Sequence, residues 1–129
     1  MEDLSAMIDA NQNRLREGIR VVEDICRFVL KDGESARRLK SLRAQVRIDS
    51  SEALLAKRDS AGDVLRPSAP SESERDGLKG MAIANFKRAQ EAARVLEEAL
   101  KIVMINDAET YKNIRYELYA LEKTVISAL

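Results

Sequence analysis

Residues 10–30 and 84–104 of this chain are two versions of one helix, which confines the fold to something built twice from a helical unit. Set side by side, ANQNRLREGIRVVEDICRFVL and ANFKRAQEAARVLEEALKIVM agree at eight of 21 positions, with a constant offset of 74. The matches are Ala10/Ala84, Asn11/Asn85, Arg14/Arg88, Glu17/Glu91, Arg20/Arg94, Val21/Val95, Glu23/Glu97 and Val29/Val103. A weaker likeness continues through LKSLRAQV (39–46) and YKNIRYEL (111–118), now at an offset of 72. The repeating unit is therefore a helical hairpin. Packing of the copies about a pseudo-two-fold axis would bring their shared polar residues to one place.

Apolar spacing supports helix in every part of the repeat. Leu15, Ile19, Val22, Cys26 and Val29 recur at steps of 4, 3, 4 and 3, predicting a first helix over about 3–31. Ala89, Ala93, Leu96, Leu100 and Val103 do the same in a third, over about 74–105. Between them, Leu39, Leu42 and Val46 predict a second helix over about 34–47. Tyr111, Ile114, Leu118, Leu121 and Val125 predict a fourth over about 108–127. Asp32-Gly33 and Asn106-Asp107 supply turn residues at the ends of the long helices. Asp49-Ser50-Ser51 reads as a break and cap before a short helix from Glu52 to Lys57. No β-branched alternation is sustained, so the fold class is an all-α bundle of two pseudo-two-fold-related hairpins, an internal duplication. At 129 residues the chain makes a single domain, 1–129: first hairpin about 3–57, linker loop 58–73, second hairpin about 74–129.

Composition removes several function classes. Lys+Arg and Asp+Glu balance at 22 each, leaving no basic field to draw nucleic acid or an anionic membrane. No apolar run approaches membrane-spanning length, and the charged start (Glu2, Asp3) does not read as a signal peptide. The single cysteine, Cys26, allows no disulfide within the chain and fits a reducing cytoplasm. It lies on the apolar side of its helix and reads as a small buried hydrophobe rather than a reactive thiol. Histidine is absent, which excludes His-containing triads, phosphohistidine relays and Glu-x-x-His metal sites. One cysteine and no histidine also close off structural zinc.

Polar residues break the apolar stripe at matched places. On a wheel of about 100° per residue, Asn11 projects near Val29, and Arg14 falls between Val21 and Ile25. Glu17 sits at the edge of the same arc, and Asn85, Arg88 and Glu91 repeat the pattern. A guanidinium on an apolar face needs a partner. Either Arg14 and Arg88 bond the other copy's Glu91 and Glu17 in a structural network, or the bundle holds an anion site. The forked geometry of arginine suits the second as well as the first, because it matches phosphate. Arg20 and Arg94 project away from the stripe and read as solvated, whereas Arg43 and Arg115, also matched between copies, flank the shorter stripes and either add positive charge or are solvated.

The linker divides in two. Pro67, Pro70, Ser68, Ser71 and Ser73 make its second part an exposed crossover. Its first part, Arg58-Asp59-Ser60-Ala61-Gly62-Asp63, packs two carboxylates, a hydroxyl and a glycine into six residues. That is either a surface turn or a loop for Mg²⁺, an ion that takes one or two carboxylates and keeps water and phosphate oxygens.

The segments Ile8-Asp9-Ala10-Asn11, Asn13-Arg14, Glu17-Gly18, Arg20 to Asp24, Arg27 to Leu30, Arg58 to Val64 and Ala84 to Glu91 together resemble the monofunctional hydroxymethylpyrimidine-phosphate kinases. Members of that bacterial family stand alone or are fused ahead of thiamin-phosphate synthase. A chain ending at Leu129 is expected to carry no synthase domain after it. The resemblance covers nearly the whole chain, least well after Leu42 and over 65–73. It implies phosphorylation of 4-amino-5-hydroxymethyl-2-methylpyrimidine phosphate to the diphosphate, with ATP as donor. Functional association with thiamin-phosphate synthase comes with it, while homo-oligomerisation stays open.

The chain has neither GxxxxGK(S/T) nor a protein-kinase glycine loop, so neither common nucleotide fold applies. The implied acceptor, however, is a phosphate monoester whose second pKa near 6 leaves it mostly dianionic, so no general base is needed. Charge neutralisation and in-line holding are required instead. Arg14 and Arg88 are the expected catalytic groups. Asn11, Asn85, Lys87, Arg58, Glu17 and Glu91 are expected to bind substrate and nucleotide, and Asp59 and Asp63 to hold the metal. The competing class is a non-enzymatic helical interaction or assembly module, whose polar positions only fix register and partner.

Overall fold

The stripe residues do what their spacing predicts over most of the chain: Leu15, Ile19, Val22, Cys26, Leu39, Leu96, Ile114, Leu118 and Leu121 are wholly shielded from solvent in one core. The computed structural model describes residues 3–47, 61–69 and 74–129. Among these residues there are helices and no strand. Helix α1 runs from Ser5 to Asp24 and passes into a π-helical segment, Ile25–Leu30. Helix α2 spans Gly33–Gln45, α3 spans Gly77–Val103 and α4 spans Ile105–Ser127. The short helix expected from Glu52 to Lys57 lies outside the described residues.

The first connection is built by Lys31 and Asp32. Lys31 takes a left-handed conformation (φ 54°), and the Asp32 carboxylate accepts from Ser35 N at 3.1 Å, capping α2. Gly33, expected to make the turn, is instead the first residue of α2. The Asp32 pKa is lowered, first by the Ser35 side chain and then by the Ser35 N–H, because hydrogen bonds to the carboxylate favour its charged form. The second connection is tighter. Only Met104 separates α3 from α4, and the expected turn residues Asn106 and Asp107 sit in the first turn of α4, where Asp107 faces the helix dipole favourably.

Another departure from the sequence pattern is Val29, placed on the buried stripe but 55% exposed, with Phe28 at 60%. The π segment explains it. Bonding i→i+5 turns each residue through less than the ordinary angle, so side chains after Cys26 fall behind the stripe and rotate out. The offset between the matched segments drops from 74 to 72 across this junction, where Lys31 and Asp32 join the first two helices and Met104 alone joins the last two.

Helix α1 packs on α3 and on α2, and α4 packs on α3. Gly18 lies against Asn85 and Ala89, while Ser5 and Ile8 lie near Val103 and Met104, so α1 and α3 run antiparallel. Their approach depends on Gly18: a Cβ there would stand 3.0 Å from the Asn85 carbonyl oxygen and 3.2 Å from Ala89 Cβ. Side chains then tie the shorter helices on. Arg16 donates from Nη1 to the Arg43 carbonyl at 3.0 Å, satisfying the C-terminal end of α2. Arg38 and Glu117 bridge α2 and α4 at 2.7 Å.

Candidate functional site

Where α1 and α3 part on either side of Gly18, they leave a cleft of about 610 Å³. Its walls are Asn11, Arg14, Glu17, Gly18 and Val21 from α1, and Asn85, Arg88, Glu91, Ala92 and Val95 from α3. Every one of these residues has its counterpart in the other set at the repeat offset of 74. The cleft thus carries two asparagines, two arginines and two glutamates in matched positions, above a floor of small apolar side chains.

The asparagines are fixed by their own helices. Asn11 Nδ2 donates to the Met7 carbonyl at 2.8 Å, and Asn85 Nδ2 to the Met81 carbonyl at 2.9 Å. Each is the backward bond of four residues that small polar side chains make inside helices. Asn11 is buried and Asn85 half-buried.

Arg14 and Arg88 behave differently from a structural network. Both are exposed, and so are Glu17 and Glu91. Neither crossed pair, Arg14–Glu91 or Arg88–Glu17, forms, and neither arginine has an ion-pair partner among the described residues. The desolvation cost anticipated for an arginine on the apolar face does not arise, because the stripe opens here into the cleft and the guanidinium groups stay hydrated. Fork-shaped donors that are hydrated and uncommitted are what an incoming phosphate can use.

Arg43 and Arg115, expected to add charge or to be solvated, are consumed instead. Arg43 Nε donates to Glu23 Oε1 at 2.7 Å, and Arg115 Nη2 to Glu97 Oε2 at 2.9 Å. Glu23 and Glu97 are matched residues of the repeat, both buried. Each pair locks a long helix to its shorter neighbour, with the charges satisfied by a forked contact. Arg115 also donates to the Tyr119 hydroxyl at 3.4 Å and lies 5.0 Å from the Tyr116 ring centre. The Arg115 pKa is raised, first by the Tyr119 bond, and that of Arg43 by its bond to Glu23. Arg20 and Arg94 carry exposed pairs to Asp24 and Glu98, as their outward projection suggests.

Lys87 is not in the cleft wall; its Nζ lies 3.2 Å from Glu122 Oε1 and 3.5 Å from Gln90 Oε1, on the side of α3 facing α4. Arg58 and Asp59 lie outside the described residues. Asp63 is exposed, and its Oδ1 accepts from Leu65 N at 3.0 Å within a turn of its own loop. Among the described residues no group of three or more carboxylate or thiol side chains gathers as a metal cluster. Cys26 is fully buried, and burial, then Asp32, pushes its thiol up to about 11. It is a protonated core side chain at neutral pH.

The fold and cleft define a helical domain with a paired-arginine pocket, and comparison with known proteins narrows the class. Residues 6–124 match the model of the ThiD2 family; the chain belongs to that family. It is 41% identical over 121 residues to the thiamine-phosphate synthase of Nostoc sp. strain PCC 7120, covering 93% of this chain and 34% of that protein. Against the thiamine-phosphate synthase of Thermosynechococcus vestitus it is 39% identical over 123 residues, 95% of this chain and 35% of the relative. The chain thus spans about a third of the length of the curated relatives it matches. No solved structure matches it. Among the described residues, no helix is long and apolar enough to cross a membrane.

Proposed function

We propose that this domain is a hydroxymethylpyrimidine-phosphate kinase, converting 4-amino-5-hydroxymethyl-2-methylpyrimidine phosphate to the diphosphate at the expense of ATP. The observation that carries the proposal is the pair Arg14 and Arg88, exposed in one cleft and committed to no ion pair among the described residues, while Arg43 and Arg115 are both spent on buried glutamates. A module whose polar groups served only register would be expected to consume all four alike. The ThiD2 family match and the names of the relatives support a thiamin context, and association with a thiamine-phosphate synthase in the cytoplasm belongs to the same proposal.

The chemistry asks little of the protein beyond charge and position. An oxygen of the substrate's dianionic phosphate attacks the γ-phosphorus of ATP, a new P–O bond forms, and the bond from that phosphorus to the β–γ bridging oxygen breaks. ADP leaves with the electron pair, and no proton has to be removed from the nucleophile. Arg14 and Arg88 offset the repulsion between the two phosphate chains and stabilise charge on the transferring group. Asn11 and Asn85, with rotamers held by their helices, line the same cleft and orient the ligands. Hard carboxylate oxygens suit Mg²⁺, which would draw on Glu17 or Glu91 in the cleft, or on Asp59 and Asp63 of the crossover loop, and would neutralise nucleotide charge. One or two carboxylates would be the protein's share of such an ion, with phosphate and water oxygens as its other ligands.

The test is ADP release with the pyrimidine phosphate and with the unphosphorylated alcohol. The phosphate should turn over and the alcohol should not, since the alcohol brings no dianionic nucleophile and no charge for the cleft arginines to hold. Arg88→Ala should lose roughly 10²–10³ in kcat, the usual worth of one such donor, while its unfolding midpoint stays at the parent value. Absence of turnover in the parent protein, or full activity in Arg88→Ala, overturns the proposal.

A further inference from the structure

Gly18 lies between the levels of Asn85 and Ala89 on the antiparallel α3, which fixes the order of residues along the arginine cleft. Arg14 comes level with Glu91 and Glu17 with Arg88, so the four charged residues occupy the middle. Asn11 lies near the level of Val95 at one end, and Asn85 near that of Val21 at the other. At about 1.5 Å per residue the two asparagines stand roughly 13 Å apart along the helix axes. Each end repeats one set: an amide, a valine and, about one turn inward, an arginine.

The amides have a defined sense. A backbone carbonyl only accepts, so the atom facing the Met7 and Met81 carbonyls is in each case the nitrogen, at 2.8 and 2.9 Å. Oδ1 of each points the other way and makes no hydrogen bond among the described residues. Neither oxygen is sealed from solvent: the sealed side-chain atoms without a partner among the described residues are Gln12 Oε1 and Asp24 Oδ1. Asn11 is only 3% exposed, and the surface it keeps borders the cleft. Each end of the cleft thus offers an uncommitted carbonyl oxygen, which repels a phosphate and attracts an N–H donor.

Resting on the kinase reading of this cleft, we infer that the two substrates lie head to head between its matched halves, phosphates between Arg14 and Arg88 and one ring at each end. Asn11 Oδ1 reads one substrate and Asn85 Oδ1 the other, each accepting from an amino group on the ring. The pyrimidine phosphate carries such a group, and so does the adenine of ATP. Both substrates then share one plan, a ring amino group outward and a phosphate inward, which suits a cleft with two like ends. The consequence is selectivity for the donor base. Inosine triphosphate presents a carbonyl where adenine has its amino group, and so sets two acceptors face to face.

Calorimetric binding tests this without turnover, so the result stands whether or not the kinase reading does. The parent should bind ATP roughly tenfold or more tightly than inosine triphosphate. Diadenosine tetraphosphate, with a ring for each end, should exceed ATP by roughly tenfold or more. Asn11→Leu and Asn85→Leu should each abolish the advantage of the two-ringed ligand, and the double variant the preference for adenine as well, with unfolding midpoints near that of the parent. No ATP binding at millimolar concentration, equal binding of the two triphosphates, diadenosine tetraphosphate no tighter than ATP, or a base preference that survives in the double variant would each overturn the arrangement. Failure of the kinase reading shows separately, as absence of ADP release from a parent that still prefers ATP in the binding assay.

Discussion

Replacing Gly18 by alanine separates two effects that usually travel together. In a helix interior, alanine is better than glycine by about 0.8–1.0 kcal/mol. At Gly18, however, the added Cβ meets the Asn85 carbonyl oxygen at 3.0 Å and Ala89 N at 3.3 Å, as well as Ala89 Cβ at 3.2 Å. Two of these three atoms are α3 backbone, which cannot swing aside as a flexible side chain can. The helices must part by a few tenths of an ångström, and such overpacking costs about 1–3 kcal/mol. The balance is a net loss of about 0–2 kcal/mol for Gly18→Ala, read from urea unfolding. Gly80→Ala supplies the reference. There the new Cβ lies 3.4 Å from Asp76 Cβ, an ordinary contact, so the propensity gain should emerge as stabilisation of up to about 1 kcal/mol. Because Gly18 also borders the arginine cleft, Gly18→Ala should weaken phosphate binding more than Gly80→Ala does. Equal stabilisation by both substitutions would refute the claim that close approach of α1 and α3 fixes this residue.

Glu97→Gln should cost about 3–5 kcal/mol, since it leaves Arg115 with an uncompensated buried charge, and Glu23→Gln somewhat less because Arg43 is more exposed; thermal or urea unfolding reads both. Asp32→Ala should remove about 1 kcal/mol with the α2 cap. The Asp32 carboxylate has its pKa depressed below 3.8, so its share of stability is present at neutral pH and disappears as pH falls through the folded-state value; a pH titration of the unfolding midpoint should show the parent converging on Asp32→Ala in acid. Cys26, buried and pushed up to about 11, should resist iodoacetamide at pH 8 in the native protein and react once it is unfolded.

Among the described residues, the four long helices and most of the core followed from apolar spacing, because stripes such as Leu15–Ile19–Val22–Cys26 leave one way to bury them. Val29 did not follow, since a wheel drawn at one constant angle has no means of registering a change to i→i+5 bonding at Ile25. The turns were blurred for a related reason. Glycine is the favoured left-handed residue, yet Lys31 adopts that conformation and Gly33 goes into α2. At the site, the lining residues Asn11, Arg14, Glu17 and their counterparts were visible as polar breaks repeated between copies. Whether each arginine was spent or spare was not visible, because that depends on partners such as Glu23 for Arg43, 20 positions away in sequence. The bond from Gln12 to Tyr111 was not visible either, because the two residues are 99 positions apart.

The matched walls of the arginine cleft make ligand orientation a measurable quantity. A ligand with a single phosphate can meet Asn11 with Arg14 or Asn85 with Arg88, so two opposite orientations are open to it, and they differ in free energy through the unmatched pair Gly18 and Ala92, the deeper burial of Asn11 and what lies beyond the walls. If that difference is small, Arg14→Ala and Arg88→Ala should raise KM for the pyrimidine phosphate by equal factors, and the double variant by more than their product, because each single variant can still bind the ligand reversed. If one orientation dominates, one arginine serves the acceptor and the other the nucleotide, and the two substitutions will fall on different kinetic constants. Comparison of just these two variants therefore reports whether a cleft with two equivalent ends has been given a direction.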